Sequence, residues 1–173
     1  MNEQFTIAST TIADIPALVL LVNSAYRGDS SKKGWTTEAD LLDGVRVTAE
    51  TLMDQMNIPG QHFLKAIRPN GNIIGCVSLL EKSNKIYLGM LTVEPNIQGG
   101  GIGKLLIQAS ENFAQTLGIT VIEMTVISVR SELIAYYERR GYRLTGEKRP
   151  FPNDPKFGIQ KQALEFIVME KTL

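Results

Sequence analysis

The stretch from Lys85 to Leu106, KIYLGMLTVEPNIQGGGIGKLL, constrains this chain more than any other part of it. An apolar strand pattern runs into Pro95, and Gln98-Gly99-Gly100-Gly101-Ile102-Gly103 then leads into an amphipathic helix pattern. A glycine-dense turn at a helix start suits a phosphate-bearing ligand. Exposed N–H groups and the positive helix end face the anion, and absent side chains let it approach. The same residues also fit a plain glycine-rich turn between a strand and a helix, so the rest of the chain has to separate the two readings.

Two common phosphate loops fail. A Walker A loop needs Gly, four residues, then Gly-Lys-Ser/Thr. Gly103-Lys104 fits its end, but Gln98 stands where the first glycine belongs and Leu105 replaces the hydroxyl that would hold magnesium. The dinucleotide fingerprint Gly-x-Gly-x-x-Gly fails in every register; from Gly99 its last position is Lys104, and from Gly101 it is Leu106. Both failures argue against a nucleotide-binding module. The pattern present is Gln-x-x-Gly-x-Gly, on Gln98, Gly101 and Gly103. Placed after Leu91-Thr92-Val93-Glu94-Pro95, it resembles the acetyl-coenzyme A loop of the GNAT superfamily of N-acetyltransferases.

Length and charge narrow the alternatives. At 173 residues the expectation is one domain over 1–173, long enough for a real core. Eighteen basic and eighteen acidic residues cancel, so no global field draws the chain to nucleic acid or an acidic membrane. The start, MNEQFTIAST, lacks the basic and apolar regions of a signal peptide, and no apolar run nears a membrane span. One cysteine permits no internal disulfide, and the apolar neighbours of Cys76 suit a core position. A single histidine beside it disfavours a His/Cys zinc site, so no metal is expected. The reading is a soluble cytoplasmic protein.

Residues 5–8 suggest a short strand, and Asp14 with Pro16 the start of a helix carrying Ile15, Leu18, Val19, Val22 and Tyr26 at helical spacing. Residues 27–36 read as a loop, and Thr37 with Asp40 resembles a capping box opening a second helix that Pro59-Gly60 ends. Strands over 63–68 and 73–81 flank the turn Pro69-Asn70-Gly71-Asn72, and a third covers 86–93. After the glycine loop, Leu105, Leu106, Ala109 and Phe113 mark a helix face with Gly118 past its end. The β-branched run 119–127 reads as a buried strand, 131–140 as a short helix closed by Gly141, and 142–146 and 163–171 as late strands around the loop RPFPNDP. Antiparallel strands followed by strand–helix–strand–helix–strand give an α/β fold, with a mixed, mostly antiparallel central sheet flanked by helices on both faces. This order is similar to the acetyl-CoA N-acyltransferase fold over nearly the whole chain.

A second motif agrees. GNAT enzymes commonly carry Tyr, three residues, Gly, then an aromatic; here these are Tyr137, Gly141 and Tyr142. The resemblance makes Tyr137 the general acid. A phenol of pKa ~10 is protonated at neutral pH and can donate to a departing thiolate. The other reading of Tyr137 is a core aromatic on an amphipathic helix. Tyr136 points about 100° away on that helix, as packing or substrate contact. Many members have Asn seven residues before the Tyr, where this chain has Arg130, which puts the usual Asn contact to coenzyme A in doubt. The resemblance also implies that backbone groups of Leu91, Thr92 and Val93 pair with the pantetheine arm and polarise the thioester. It further implies that Gln98, Gly99, Gly101, Ile102 and Gly103 hold the diphosphate. Lys104 either adds charge there or is a solvated first-turn lysine.

Deprotonation of the acceptor is the least determined step. A lysine-like amine of pKa ~10.4 is ~3.4 units too protonated at pH 7, or ~4.6 kcal/mol. Glu123, inside the apolar run VIEMTV, is a candidate base; it is otherwise paired with an arginine or faces solvent. Glu81 at a strand end is a second candidate, and a water chain a third route. The family's acceptor site lies between its first two helices, which here brings Tyr26, Trp35 and Glu38. An aromatic with carboxylates would suit a cationic amine, whereas a capped helix start with Trp35 as an apolar anchor explains the same residues. Residues 149–158 form a second candidate wall, where Phe151 and Phe157 either shape a pocket or meet a second subunit. The reading is direct acetyl transfer from acetyl-CoA to a small-molecule or peptide amine, with homodimers common in the superfamily. A non-catalytic acyl-CoA sensor on the same fold is the rival.

Overall fold

The computed structural model describes residues 4–32, 34 and 37–173. Chain order is β1 (Thr6–Ser9), α1 (Ile15–Tyr26), α2 (Gly28–Ser31), β2 (Leu42–Asp43), α3 (Ala49–Met56), β3 (Gln61–Ile67), β4 (Ile73–Lys82), β5 (Lys85–Val93), α4 (Ile102–Thr116), β6 (Val121–Ile127), α5 (Ser131–Glu138), β7 (Arg143–Pro150), β8 (Ile159–Gln160) and β9 (Glu165–Thr172). The main sheet runs β1-β3-β4-β5-β6-β9-β7. Only β5 and β6 pair in parallel; the other neighbours are antiparallel. This is the mixed, mostly antiparallel sheet expected from the element order.

Two apolar layers sandwich it. Successive strand residues point to opposite faces, and Phe63 and Leu64 on β3 accordingly join different clusters. On one face Leu18, Val22 and Ala25 of α1 and Leu52 of α3 pack on Phe63, Cys76 and Met90. On the other, Ile102, Leu106 and Ala114 of α4 pack with Leu79, Ile86, Ile122 and Met124. Of the face anticipated for α4, Leu105 is instead 48% exposed. The helix starts at Gly101, whose φ of +86° is left-handed, and Gly118 at φ +71° follows its end. Asp14 sits where α1 begins but does not cap it. Its carboxylate accepts from the Thr11 N–H at 2.8 Å and from Lys65 Nζ at 2.7 Å.

A short helix, α2, occupies part of the stretch expected as a loop, and the helix suggested by the Thr37–Asp40 pattern, α3, opens eleven residues later with its cap at Thr48. Thr37 Oγ1 accepts from the Ala39 N–H at 3.1 Å and lies 2.6 Å from Ser31 Oγ, making a turn. The chain then extends as β2, which pairs with β8. Asn23 of α1 keeps the next segment extended: its Oδ1 accepts from the N–H groups of Arg46 and Val47 at 2.7 and 3.0 Å. Only at Thr48 does a working cap appear, with Thr48 Oγ1 accepting from Thr51 N–H at 3.1 Å. The β2–β8 pair, unforeseen because each strand has two residues, ties the 37–48 segment to the one after the Pro-rich loop. Lys161 adds to that tie, its N–H donating to the Leu41 carbonyl at 2.8 Å and its Nζ to the Ala39 carbonyl at 2.7 Å. β7 also runs on to Pro150, opposite Glu165, taking up the start of the RPFPNDP loop.

Among the described residues, no helix is long and apolar enough to cross a membrane, and no group of three His, Cys, Asp or Glu could hold a metal ion.

Candidate active site

β5 and β6 are paired only from Lys85↔Val121 to Tyr87↔Glu123. Beyond Tyr87 the two strands diverge, so the rest of β5 has no strand neighbour on that side. A bulge sharpens the divergence. Cys76 faces Thr92 and Ser78 faces Gly89, which leaves Val77 opposite both Met90 and Leu91. Met90 takes φ +51°, a left-handed conformation that costs a non-glycine residue about 1–2 kcal/mol. Thr92 helps to hold it, its buried hydroxyl donating to the Met90 carbonyl at 2.9 Å. The Tyr26 hydroxyl, from α1, donates to the Leu91 carbonyl. Strain held this way at a strand break is a common mark of a working site.

Two cavities open into the break. The smaller, of about 160 Å³, lies on the glycine-loop side. Leu91, Val93, Gln98, Gly99, Gly101, Ile102, Gly103 and Lys104 all line it, with Tyr136, Tyr137 and Arg140 opposite. Gln98 Nε2 donates to the Val93 carbonyl at 3.0 Å and so pins the loop to the strand end. A Cβ placed on Gly99 or Gly101 would meet nothing within 4 Å, and both have left-handed φ, of +93° and +86°. The space over the helix start is therefore open enough for a bulky anion. Gly103 is closely packed instead: a Cβ there would lie 2.8 Å from the Tyr136 hydroxyl, so that side chain would have to shift. Arg140 stacks 3.5 Å from the Tyr136 ring centre and donates to that residue's carbonyl at 2.9 Å. Thr92 lines neither cavity; its side chain serves the bulge.

The larger cavity, of about 340 Å³, runs between the diverging strands towards α1 and the segment before α3. Tyr26, Leu91, Leu133 and Tyr137 line both cavities and mark where they meet. Tyr137 is buried, edge-on to Tyr136 and Tyr142 with ring centres 5.4 and 6.0 Å away. Its hydroxyl has no hydrogen-bond partner among the described residues. Burial pushes its pKa well above the ordinary phenol value, and pushes that of Tyr26 up to about 12. Both phenols therefore stay protonated at neutral pH. Cys76 is fully buried, with its thiol also raised to about 12 by burial, which disqualifies it as a nucleophile.

Glu38 lines the larger cavity but is already surrounded by cations. Arg27 Nε is 3.2 Å from its carboxylate, Arg130 Nη1 3.6 Å and Arg46 Nε 4.0 Å. Trp35 lies outside the described residues, as does the Phe157 side chain. Phe151 lines the cavity with its ring 5.0 Å from that of Phe166. The structure does not bring Glu123 to either cavity. It is buried on β6 with Arg149 Nη1 at 2.9 Å and Lys85 Nζ at 3.6 Å, so paired cations account for a carboxylate in an apolar strand. Glu81 also lines neither cavity; it meets His62 Nε2 at 3.0 Å.

Residues 38–154 match the acetyltransferase (GNAT) domain family. The chain belongs to that family. It is 27% identical over 99 residues to an IAA acetyltransferase of Azospirillum brasilense, a match that takes in 56% of this chain and 64% of that protein. The fold is that of a ribosomal-protein-alanine N-acetyltransferase from Brucella melitensis, with TM-score 0.72 and 22% identity over 97% of this chain and 99% of the other. It is also that of the PaiA N-acetyltransferase of Thermoplasma acidophilum, solved with coenzyme A, with TM-score 0.68 and 20% identity over 98% and 99% of the two chains.

Arg130 holds the position at which the resemblance leads one to expect an Asn. Here it is turned to Glu38 and the larger cavity. Sequence reasoning missed the Met90 bulge and the gathering of Arg27, Arg46 and Arg130. Methionine carries no left-handed preference that would flag the first, and no spacing links three arginines drawn from distant segments.

Proposed function

We propose that this chain is an N-acetyltransferase that moves an acetyl group from acetyl-coenzyme A directly to an amine, with residues 1–173 acting as one catalytic domain. The observation that carries the reading is the junction of the two cavities at the broken strand pair, lined by Leu91 and Tyr137 from both sides. The glycine-loop cavity takes the donor. Backbone N–H groups around Gly99, Gly101, Ile102 and Gly103, pinned by Gln98, face the diphosphate at the start of α4, and Lys104 adds a positive charge. The pantetheine arm follows the unpaired edge of β5 past Val93, Thr92 and Leu91, where a backbone N–H polarises the thioester carbonyl.

The acceptor enters from the larger cavity. Its neutral nitrogen attacks the carbonyl carbon, the C–N bond forms, the C–S bond breaks, and the thiolate takes the Tyr137 proton. With Glu123 tied to Arg149 and Lys85, the nitrogen loses its own proton to solvent, and the Tyr137 phenolate regains a proton from solvent. Tyr26 holds the bulge through the Leu91 carbonyl and forms part of the acceptor wall. A sensor on the same fold has no need of a buried phenol with an unpartnered hydroxyl at the junction, and this favours the enzyme.

Acetyl transfer followed against pH tests the assignment of the acid. Burial raises the Tyr137 pKa, so the acid form persists through neutral pH and is lost only well above pH 10. Turnover at limiting acceptor should rise with pH as the amine loses its proton, with no falling limb below pH 9. A falling limb between pH 6 and 9 would remove Tyr137 as the acid.

A further inference from the structure

The larger cavity carries a charge bias that the reaction itself does not require. Among the described residues, its charged lining is Arg27, Arg46 and Arg130 with the carboxylate of Glu38. A purely cationic amine would be repelled there, and an acceptor with a negative group would be drawn in. Arg46 is the member best placed to receive it. Its side chain is 30% exposed, its Nε stands 4.0 Å from Glu38, beyond hydrogen-bond range, and its guanidinium carbon lies 5.5 Å from the Tyr26 ring centre. No side-chain hydrogen bond engages it among the described residues. Its backbone, in contrast, is fixed, because Asn23 Oδ1 accepts from the N–H groups of Arg46 and Val47. A guanidinium anchored at its root, with free N–H donors facing a cavity, is suited to a carboxylate. The Tyr26 ring that Arg46 covers also lines the junction with the donor cavity, so an anion held there leaves an attached amine near the thioester.

We propose that the acceptor is a small amino-acid-like amine whose carboxylate is bound by Arg46, with Glu38 and the other two arginines setting the positive field around it. The inference rests on the acetyltransferase reading and on the larger cavity being the acceptor side. It departs from the expectation of a cationic amine held by Trp35 and Glu38, since Glu38 is taken up by Arg27 and Arg130.

The test is a matched panel: each proteinogenic amino acid, its α-amide, the amine left after removal of the carboxylate, and short peptides. Each is assayed for acetyl transfer by kcat/KM and for binding by calorimetry in the presence of coenzyme A. The best acid should exceed its amide by about tenfold or more. Arg46→Gln should reduce that acid-to-amide ratio by about tenfold in both assays. Arg46→Lys, which keeps the charge and loses the planar fork, should retain part of it. Acids that bind through Arg46 while no member of the panel is acetylated would uphold the anion site and refute the acetyl-transfer reading. Amides, decarboxylated amines or peptides accepted as well as the acids would overturn the anion site and leave acetyl transfer standing. Failure of every acid to bind, or an unchanged ratio in Arg46→Gln, would overturn it as well.

Discussion

Tyr137→Phe is expected to lower kcat by about 100-fold or more, the usual scale for losing a general acid, while acetyl-CoA affinity changes little. The structure makes this a clean substitution. The hydroxyl has no hydrogen-bond partner among the described residues, so its removal leaves no orphaned donor or acceptor. The ring stays edge-on between Tyr136 and Tyr142. The melting temperature should therefore hold or rise slightly while turnover collapses. Steady-state kinetics beside a melting curve separates the two effects. Turnover within a few-fold of the parent would mean that the thiolate gets its proton elsewhere, with water in the cavity as the first candidate.

Gly101→Glu is expected to abolish acetyl-CoA binding, with two causes acting together. Residue 101 has φ +86°, where any side chain is strained by about 1–2 kcal/mol. The new carboxylate would also project into space that is open now, at the start of α4, and oppose an anionic diphosphate there. Gly101→Ala separates them, since it adds the strain without the charge and should weaken binding far less. Calorimetric titration with acetyl-CoA reads both variants. Affinity near that of the parent in Gly101→Glu would refute the loop as the donor site.

The proposed donor half of the site draws on contiguous residues, which is why the sequence suggests it. Strand, glycine turn and helix start follow one another within Lys85–Leu106, and the proposed binding relies on backbone groups rather than distant side chains. The expectation for Tyr137 is local too, with Gly141 and Tyr142 close behind it, and the residue lines both cavities. The acceptor half depends on long-range contacts. The Thr37–Asp40 pattern suggests a helix start, but the cap forms at Thr48, after Asn23 of another helix has captured the backbone of Arg46 and Val47. Glu123 stood out as a carboxylate in an apolar strand, but its answer, Arg149, comes from β7 across the intervening β9. Glu38 looked like a partner for a cation until Arg27, Arg46 and Arg130 converged on it. Local periodicity and capping rules carry no information on such pairings.

The central claim is that acetyl passes directly from acetyl-CoA to an amine at the junction lined by Leu91 and Tyr137. It is tested most directly by incubating the purified chain with acetyl-CoA and the amine panel, and measuring free coenzyme A thiol and N-acetylated product together. The account predicts equal amounts of the two with at least one amine, and loss of both in Tyr137→Phe. Tight acetyl-CoA binding with no thiol released on any amine would contradict it and leave a sensor on the same fold.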